Sequence, residues 1–446
     1  MNIQKNGINL LLVAEAALLI LVLVLGLLGG AAGAIRDNDN NTPIVSGSEN
    51  NDWYHPDSNK PSSDNSEDEK PGGDEPNDNP GENHPETGKW YVPEDYAEGR
   101  VQFSDSVEAK LATMTVAQKV AQLFIVTPEA LTGYNTVTAF GNASKQAFDQ
   151  YPVGGLVYNT KNFQNTAQVP LLLSGVKNYS IQKYGMTVFT AIEEEGGANY
   201  SPLATTLGID RISQASELGN QGVTAVTQAA KARAEYLKKY EFNLLLSTIA
   251  DVAPSLDTTY GLRTYGTNAE LVASMVAVDV KATAEAGRMS ALKYFPGKAN
   301  ATNGGAGVLT SSETLEDLSK GSFISYQAGI DAGVSFVMIG NIITESITDD
   351  ENVPCCLSSR TIGLLRESMG FKGVILTENF SDPAFTSVYG AETSCVEAIK
   401  AGVDMIYMPA DFVKAYNAVM EAVNNGNISA DRLNNAVGRI LTAKGV

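Results

Sequence analysis

Beyond residue 100 this 446-residue chain has no histidine and no tryptophan: His55, His84, Trp53 and Trp90 all lie before that point. A domain folded from the remainder must therefore run any acid–base chemistry on carboxylates, lysines or tyrosines instead of imidazole. Cysteine is nearly as scarce. Cys355, Cys356 and Cys395 are the only three, and two of them are adjacent. That excludes a disulfide framework and a spaced metal site, and reads the three as reduced packing residues. Basic residues are few as well, 31 Lys plus Arg against 51 Asp plus Glu for a formal charge of −20, and they form no stripe. Phosphate backbones need clustered cations, so a nucleic-acid partner is excluded. No GxGxxG or Walker-type loop follows the first apolar run, and no cofactor or metal is expected.

The chain does carry one long uncharged run, Ala16 to Ala34. Its length is close to the roughly 20 residues that a membrane-spanning helix needs. Lys5 precedes it, and Asp37 and Asp39 follow it, which places the remainder outside. Residues 1–35 are thus predicted to be a cytoplasmic stub and a single-pass signal anchor. A cleaved signal peptide is the alternative, since AAGA resembles a cleavage site. From Arg36 to Arg100 there are 17 Asp plus Glu against 5 Lys plus Arg among many Asn, Pro, Gly and Ser. Such a segment cannot bury enough apolar surface to order itself, so 36–100 reads as an extended acidic linker rather than a calcium-binding tail. The expected location is a bacterial cell membrane, with the folded part, residues 101–446, on the extracellular face.

From about Val101 onward, short apolar runs alternate with helical patterns. The runs are AQLFIVT from Ala121, VGGLVYN from Val153, TVFTAI from Thr187, FNLLLSTIADV from Phe242, SALKYF from Ser290, SFVMIGNIIT from Ser335, GVILTE from Gly373 and MIYMPA from Met405. Nearly continuous apolar runs of this length suit parallel strands buried on both faces. Between them, stretches such as GVTAVTQAAKARAEYLKKY space apolar residues at three and four positions. Eight strands alternating with helices predict an α/β (β/α)₈ barrel, closed by a last helix, DRLNNAVGRILTAKG, with no room for a second folded domain after it.

In such a barrel the chemistry sits at the carboxyl ends of the strands. The polar residues there are Glu193, Glu194 and Glu195, then Asp251, Arg263, Lys293, Asn341 and Glu345, and finally Glu378 and Asp382. Several carboxylates with a lysine and an arginine suit a polyhydroxylated substrate and carboxylate-based glycoside chemistry. The segments TAIEEEGG, STIADVAP, RTYG, KYFPGK and FKGVILTENF, in that order along 105–445, resemble the barrel domain of glycoside hydrolase family 3, in particular its single-domain bacterial β-N-acetylglucosaminidases. The resemblance implies that Asp251, Arg263, Lys293 and Glu195 bind the sugar, with Tyr294 in place of a histidine beside the lysine. It also implies that Glu378 stands where the family has an aspartate nucleophile, and that the partner is an N-acetylglucosamine-containing glycan or cell-wall sugar.

Other family positions are changed. Ala198, Lys298 and Asn341 replace an arginine and two histidines, and the acid/base Asp-Ser-His element of the single-domain members falls on Gly304 and Ala306, neither of which transfers a proton. Glu345 or Glu194 could stand in as the acid, and Lys298 could hold phosphate in a phosphorolytic variant. The expectation is therefore a membrane-tethered β-N-acetylhexosaminidase-like protein with its acid/base motif missing, or alternatively a pseudoenzyme that binds glycan or a protein partner. A barrel unrelated to sugars is a third reading.

Overall fold

Each of the eight predicted runs contributes one barrel strand in a computed structural model that describes residues 90–303, 308–350 and 352–446. The strands are β1 Phe124–Val126, β2 Gly155–Val157, β3 Phe189–Ile192, β4 Leu244–Leu245, β5 Met289–Phe295, β6 Phe336–Ile339, β7 Val374–Asn379 and β8 Met405–Tyr407. They pair in parallel with their sequence neighbours, and β1 closes the barrel on β8 through Phe124↔Ile406. Helices bury both faces of such a sheet, which is why the strands read as apolar runs instead of alternating. Inside the barrel, the rings of Phe189 on β3 and Phe336 on β6 meet edge to face with centroids 5.2 Å apart.

The helical patterns also fold as their spacing predicts. Val223–Lys239 and Ala269–Glu285 turn their buried residues onto the barrel. Thr115 and Thr314 open their helices with reciprocal capping boxes, so the first unpaired N–H groups are satisfied locally.

Three expectations need correction. The run from Ser335 makes two strands, because the backbone leaves the barrel at Gly340, whose N–H bonds to Phe295 O at 2.9 Å. Ile342–Thr344 then joins a separate small sheet with Leu309–Ser311 and Thr302–Asn303. The run from Phe242 gives only a two-residue ladder, since Thr248 takes φ 94° and breaks the strand. The linker also ends earlier than residue 100, and the folded body does contain a tryptophan. Trp90 packs edge-on against Phe323 at 5.6 Å and donates to Gln327 Oε1 at 3.2 Å. The anchor expected at 16–34, most of the linker, and Gly304 and Ala306 lie outside the described residues. Among the described residues, no helix is long and apolar enough to cross a membrane. Cys355, Cys356 and Cys395 are all free and buried, as their scarcity predicted.

The amino-terminal end of the barrel is held by one buried carboxylate. Asp404 accepts from Arg366 at 2.6 Å, Arg432 at 2.7 Å, Arg439 at 3.0 Å and the Ile375 N–H at 2.9 Å. Glu98, from the supposed linker, completes the cluster by pairing with Arg432 at 2.5 Å and with Arg439. Burial pushes the Asp404 carboxyl up, but Arg439, Arg366 and Arg432 outweigh it and hold it at about 2. Removing one partner of a buried ion cluster leaves the others uncompensated, at a cost of about 3–5 kcal/mol. Asp404→Asn should therefore lose about that much unfolding free energy in a urea titration, and a loss below about 1 kcal/mol would contradict the cluster's structural role.

Candidate active site

The carboxyl ends of β3, β5 and β7 bring three charged groups together around one aromatic ring. Lys293, fully buried at the end of β5, forms an ion pair with Glu195 Oε1 at 2.7 Å and donates to Glu193 Oε2 at 3.2 Å. Arg263 grips the same Glu195 with both prongs, Nε at 2.7 Å and Nη2 at 2.6 Å. Its guanidinium lies 4.5 Å from the Tyr200 ring and 5.5 Å from that of Tyr260. Bidentate, ring-stacked geometry of this kind is what arginine provides and lysine does not. Burial raises the Glu195 carboxyl, yet Lys293 and Arg263 outweigh it and bring it down to about 2. Burial alone would strip the Lys293 proton, but Glu193 and Glu195 hold it on.

The glycines after Glu195 allow this approach. Gly196 sits at φ 117°, and a Cβ there would come 2.4 Å from Ser213 O. Ala198, where the resemblance puts an arginine, borders a cavity of about 110 Å³ beside Glu195, Tyr200 and Arg263.

A second group forms on the loop after β5. The Lys298 ammonium pairs with Glu378 Oε1, and the Asn341 N–H donates to Glu378 Oε2 at 2.8 Å, so both oxygens of the Glu378 carboxylate are engaged. The same ammonium stands 3.8 Å over the Tyr294 ring, with Lys293 5.2 Å from that ring. Asp251 holds the loop in place: Oδ2 accepts the Lys298 backbone N–H and the Tyr260 hydroxyl, both at 2.7 Å, and Oδ1 accepts Tyr326 at 3.0 Å. Gly297 makes the turn at φ 131°, where a Cβ would come 2.8 Å from Ser322 Oγ.

The residues singled out from the sequence thus separate into those that meet and those that do not. Glu195, Arg263, Lys293 and Tyr294 meet directly, and Tyr294 links them to Glu378 through Lys298. Asp251 is fully buried, with protein donors on both oxygens. Glu194 is unsuited to be the substitute acid: it is fully buried and accepts the N–H groups of Leu203 at 2.9 Å and Ala204 at 3.1 Å, at the start of helix Pro202–Leu207. Asp382 likewise caps helix Pro383–Tyr389 through the Ala384 N–H at 2.9 Å. Glu345 opens the short helix Glu345–Thr348 with its side chain exposed. Asn341 turns its side chain away, onto Asn379 O at 2.8 Å.

Sequence reasoning found Tyr294 but missed three other tyrosines. Tyr407 donates to Glu193 Oε1 at 2.8 Å, and Tyr260 and Tyr326 hold Asp251. The signal for Tyr407 was its place at the end of β8. Lys298 was visible only as a replaced histidine, and nothing in the sequence placed its ammonium on Glu378.

Burial pushes the Asp251 carboxyl up to about 6, against the hydrogen bonds from Tyr260, Lys298 and Tyr326. A folded-state value above the unfolded one gives stability that is present below about pH 4 and lost as pH rises through about 6. Asp251→Asn should abolish that decline, worth roughly 3 kcal/mol, in unfolding curves at pH 4 and pH 7. An unchanged slope in the variant would contradict the assignment.

With this geometry in view, the comparisons with known proteins are specific. A family model described as "Glycosyl hydrolase family 3 N terminal domain" matches residues 115–443. Among curated proteins, beta-hexosaminidase A of Pseudoalteromonas piscicida is 23% identical over 325 residues, covering 67% of this chain and 54% of that protein. A "Beta-N-acetylglucosaminidase/beta-glucosidase" of Cellulomonas fimi is 25% identical over 300 residues, 63% of this chain and 48% of that protein. The chain thus spans about half the length of these two relatives. Among solved structures, a glycoside hydrolase family 3 beta-N-acetylglucosaminidase from Paenibacillus sp. str. FPU-7 matches with a TM-score of 0.68 and 26% identity, covering 75% of this chain and 62% of that one. A beta-N-acetylhexosaminidase from Beutenbergia cavernae matches with a TM-score of 0.64 and 25% identity, covering 75% of this chain and 100% of that one. A match across most of the barrel, with these motifs at the strand ends, makes the chain a member of glycosyl hydrolase family 3 through that family's N-terminal domain.

Proposed function

We propose that this chain is a β-N-acetylhexosaminidase-like glycoside hydrolase, tethered by residues 16–34 to the outer face of a cell membrane and directed at N-acetylglucosamine-containing glycans. The observation that carries the reading is Glu378 at the end of β7, its two oxygens oriented by Lys298 and by the Asn341 N–H at 2.8 Å. A retaining mechanism asks for such a carboxylate at the anomeric carbon. Lys298 and the Asn341 N–H each take one lone pair of the carboxylate, and each oxygen retains another for attack. Lys293, Arg263 and Glu195 supply a fixed set of donors and acceptors for sugar hydroxyls. Their mutual pairing means that a hydroxyl binds by sharing these bonds, at little reorganisation cost.

A second reading, a barrel that binds glycan without cleaving it, is favoured by the ion pair itself, because an attack through Oε1 would have to share that oxygen with the Lys298 ammonium. The assay uses an aryl N-acetyl-β-glucosaminide, whose activated leaving group needs little proton assistance. The full chain, in carbonate-washed membranes of expressing cells, should turn this substrate over, and Glu378→Gln should lose activity by on the order of 10⁴-fold or more. Sugar binding without turnover would establish the second reading, and recovery of the chain only in the wash would refute the tether.

A further inference from the structure

Glu378 carries one methylene more than the aspartate that the resemblance puts at its position, so one more torsion must be fixed before its carboxylate has a single place. The strand beneath it does little of that fixing. On one edge, β6 pairs with β7 only as far as Thr377↔Ile339, because the chain leaves the barrel at Gly340. On the other edge, the register against β8 slips between Leu376↔Met405 and Asn379↔Tyr407, and the Tyr407 N–H bonds to the Thr377 hydroxyl at 2.9 Å. Glu378 thus lies in a bulge on one edge and past the end of the ladder on the other.

Asn341 fills the gap that β6 leaves. The Phe380 N–H points to β8, on Tyr407 O at 3.0 Å, so across their trans peptide the Asn379 carbonyl faces β6. Asn341 Nδ2 donates to that carbonyl at 2.8 Å, while its backbone N–H holds Glu378 Oε2 at the same distance. One residue thus grips both the carboxylate and the backbone that carries it. The other end of the amide, Oδ1, accepts the thiol of Cys356 at 3.4 Å, from the short helix Cys355–Leu357. These partners also fix which way round the amide sits, since the Asn379 carbonyl accepts only from the NH₂ end. Asn341 is 8% exposed and Cys356 fully buried, so water competes little for either bond. Burial pushes the Cys356 thiol well above its ordinary value, which keeps on it the proton that the bond needs.

We propose that Asn341, with Cys356 behind it, is the positioning residue that sets Glu378 for attack; this rests on the hydrolase reading above. Neither residue transfers a proton or bonds to the sugar. The Asn341 amide stands in for the ladder that β6 no longer provides, and the Cys356 thiol fixes the amide. The pair acts on rate through the place of one carboxylate, and leaves Lys293, Arg263 and Glu195 where they are.

The test measures kcat and KM of the full chain on an aryl N-acetyl-β-glucosaminide for Asn341→Ala, Cys356→Ala and Cys356→Ser, with a melting curve for each. Asn341→Ala keeps the backbone N–H but frees the Asn379 carbonyl. A displacement of about 1 Å costs on the order of 100-fold, so kcat should fall by about that factor. KM, and inhibition by free N-acetylglucosamine, should stay within about 3-fold of the unaltered chain, which a general loosening of the site would not allow. Cys356→Ala removes only a weak S–H donor, so its kcat should fall by about 10-fold, and Cys356→Ser, which restores a donor, should recover most of that loss. A kcat within about 3-fold in Asn341→Ala, a KM that rises as far as kcat falls, or a Cys356→Ser no better than Cys356→Ala would overturn the assignment. Should Asn341→Ala melt too low to assay, the two cysteine variants decide by the same criterion. No turnover by the unaltered chain would instead overturn the hydrolase reading, and this inference with it.

Discussion

Lys298 reaches from the loop after β5 to Glu378 at the end of β7 and, on the way, lies 3.8 Å over the Tyr294 ring. Most of the site's geometry depends on that crossing. It sets the orientation of the Glu378 carboxylate and ties the β5 loop to the β7 strand. It also places a cation where the family resemblance puts an imidazole. An ammonium on a flexible stem is a point charge and cannot alternate between proton donor and acceptor as imidazole does. The replacement therefore preserves electrostatic holding and removes a titrating group.

The pair is kept in place by the less visible parts of the barrel. Asp251 fixes the Lys298 backbone, Gly297 supplies the turn, and the Asn341 N–H reaches Glu378 because the chain leaves β6 at Gly340. Beside the same Tyr294 ring the Lys293–Glu195–Arg263 cluster repeats the pattern, a buried cation neutralised by carboxylates. Burying charges is tolerated only when each one is paired and hydrogen-bonded, and the mouth of this barrel satisfies that condition with its own residues. Glu193 is the exception, held at two points yet open to solvent.

The barrel was legible in the sequence because buried parallel strands leave apolar runs and surface helices leave a three-and-four spacing, and both depend on neighbours close in the chain. The breaks were not. Thr248 at φ 94° and the departure at Gly340 depend on contacts with β5 that local pattern does not encode. Trp90 was assigned to the linker because its sequence surroundings are polar, while its partners, Phe323 and Gln327, lie more than two hundred residues away. Residue types at the site were legible from their places at strand ends. Which of them pair was not, since Glu194 and Glu195 are adjacent in sequence, yet one caps a helix and the other joins Lys293.

The account turns on Glu378 being the residue that bonds to the sugar. The most direct measurement is mass spectrometry of the chain after treatment with a 5-fluoro-N-acetylglucosaminyl fluoride, which forms the glycosyl ester quickly and releases it slowly. The account predicts one added sugar on the peptide containing Glu378, and none in Glu378→Gln. An adduct on any other carboxylate, or turnover of aryl glycosides with no trapped ester, would contradict it.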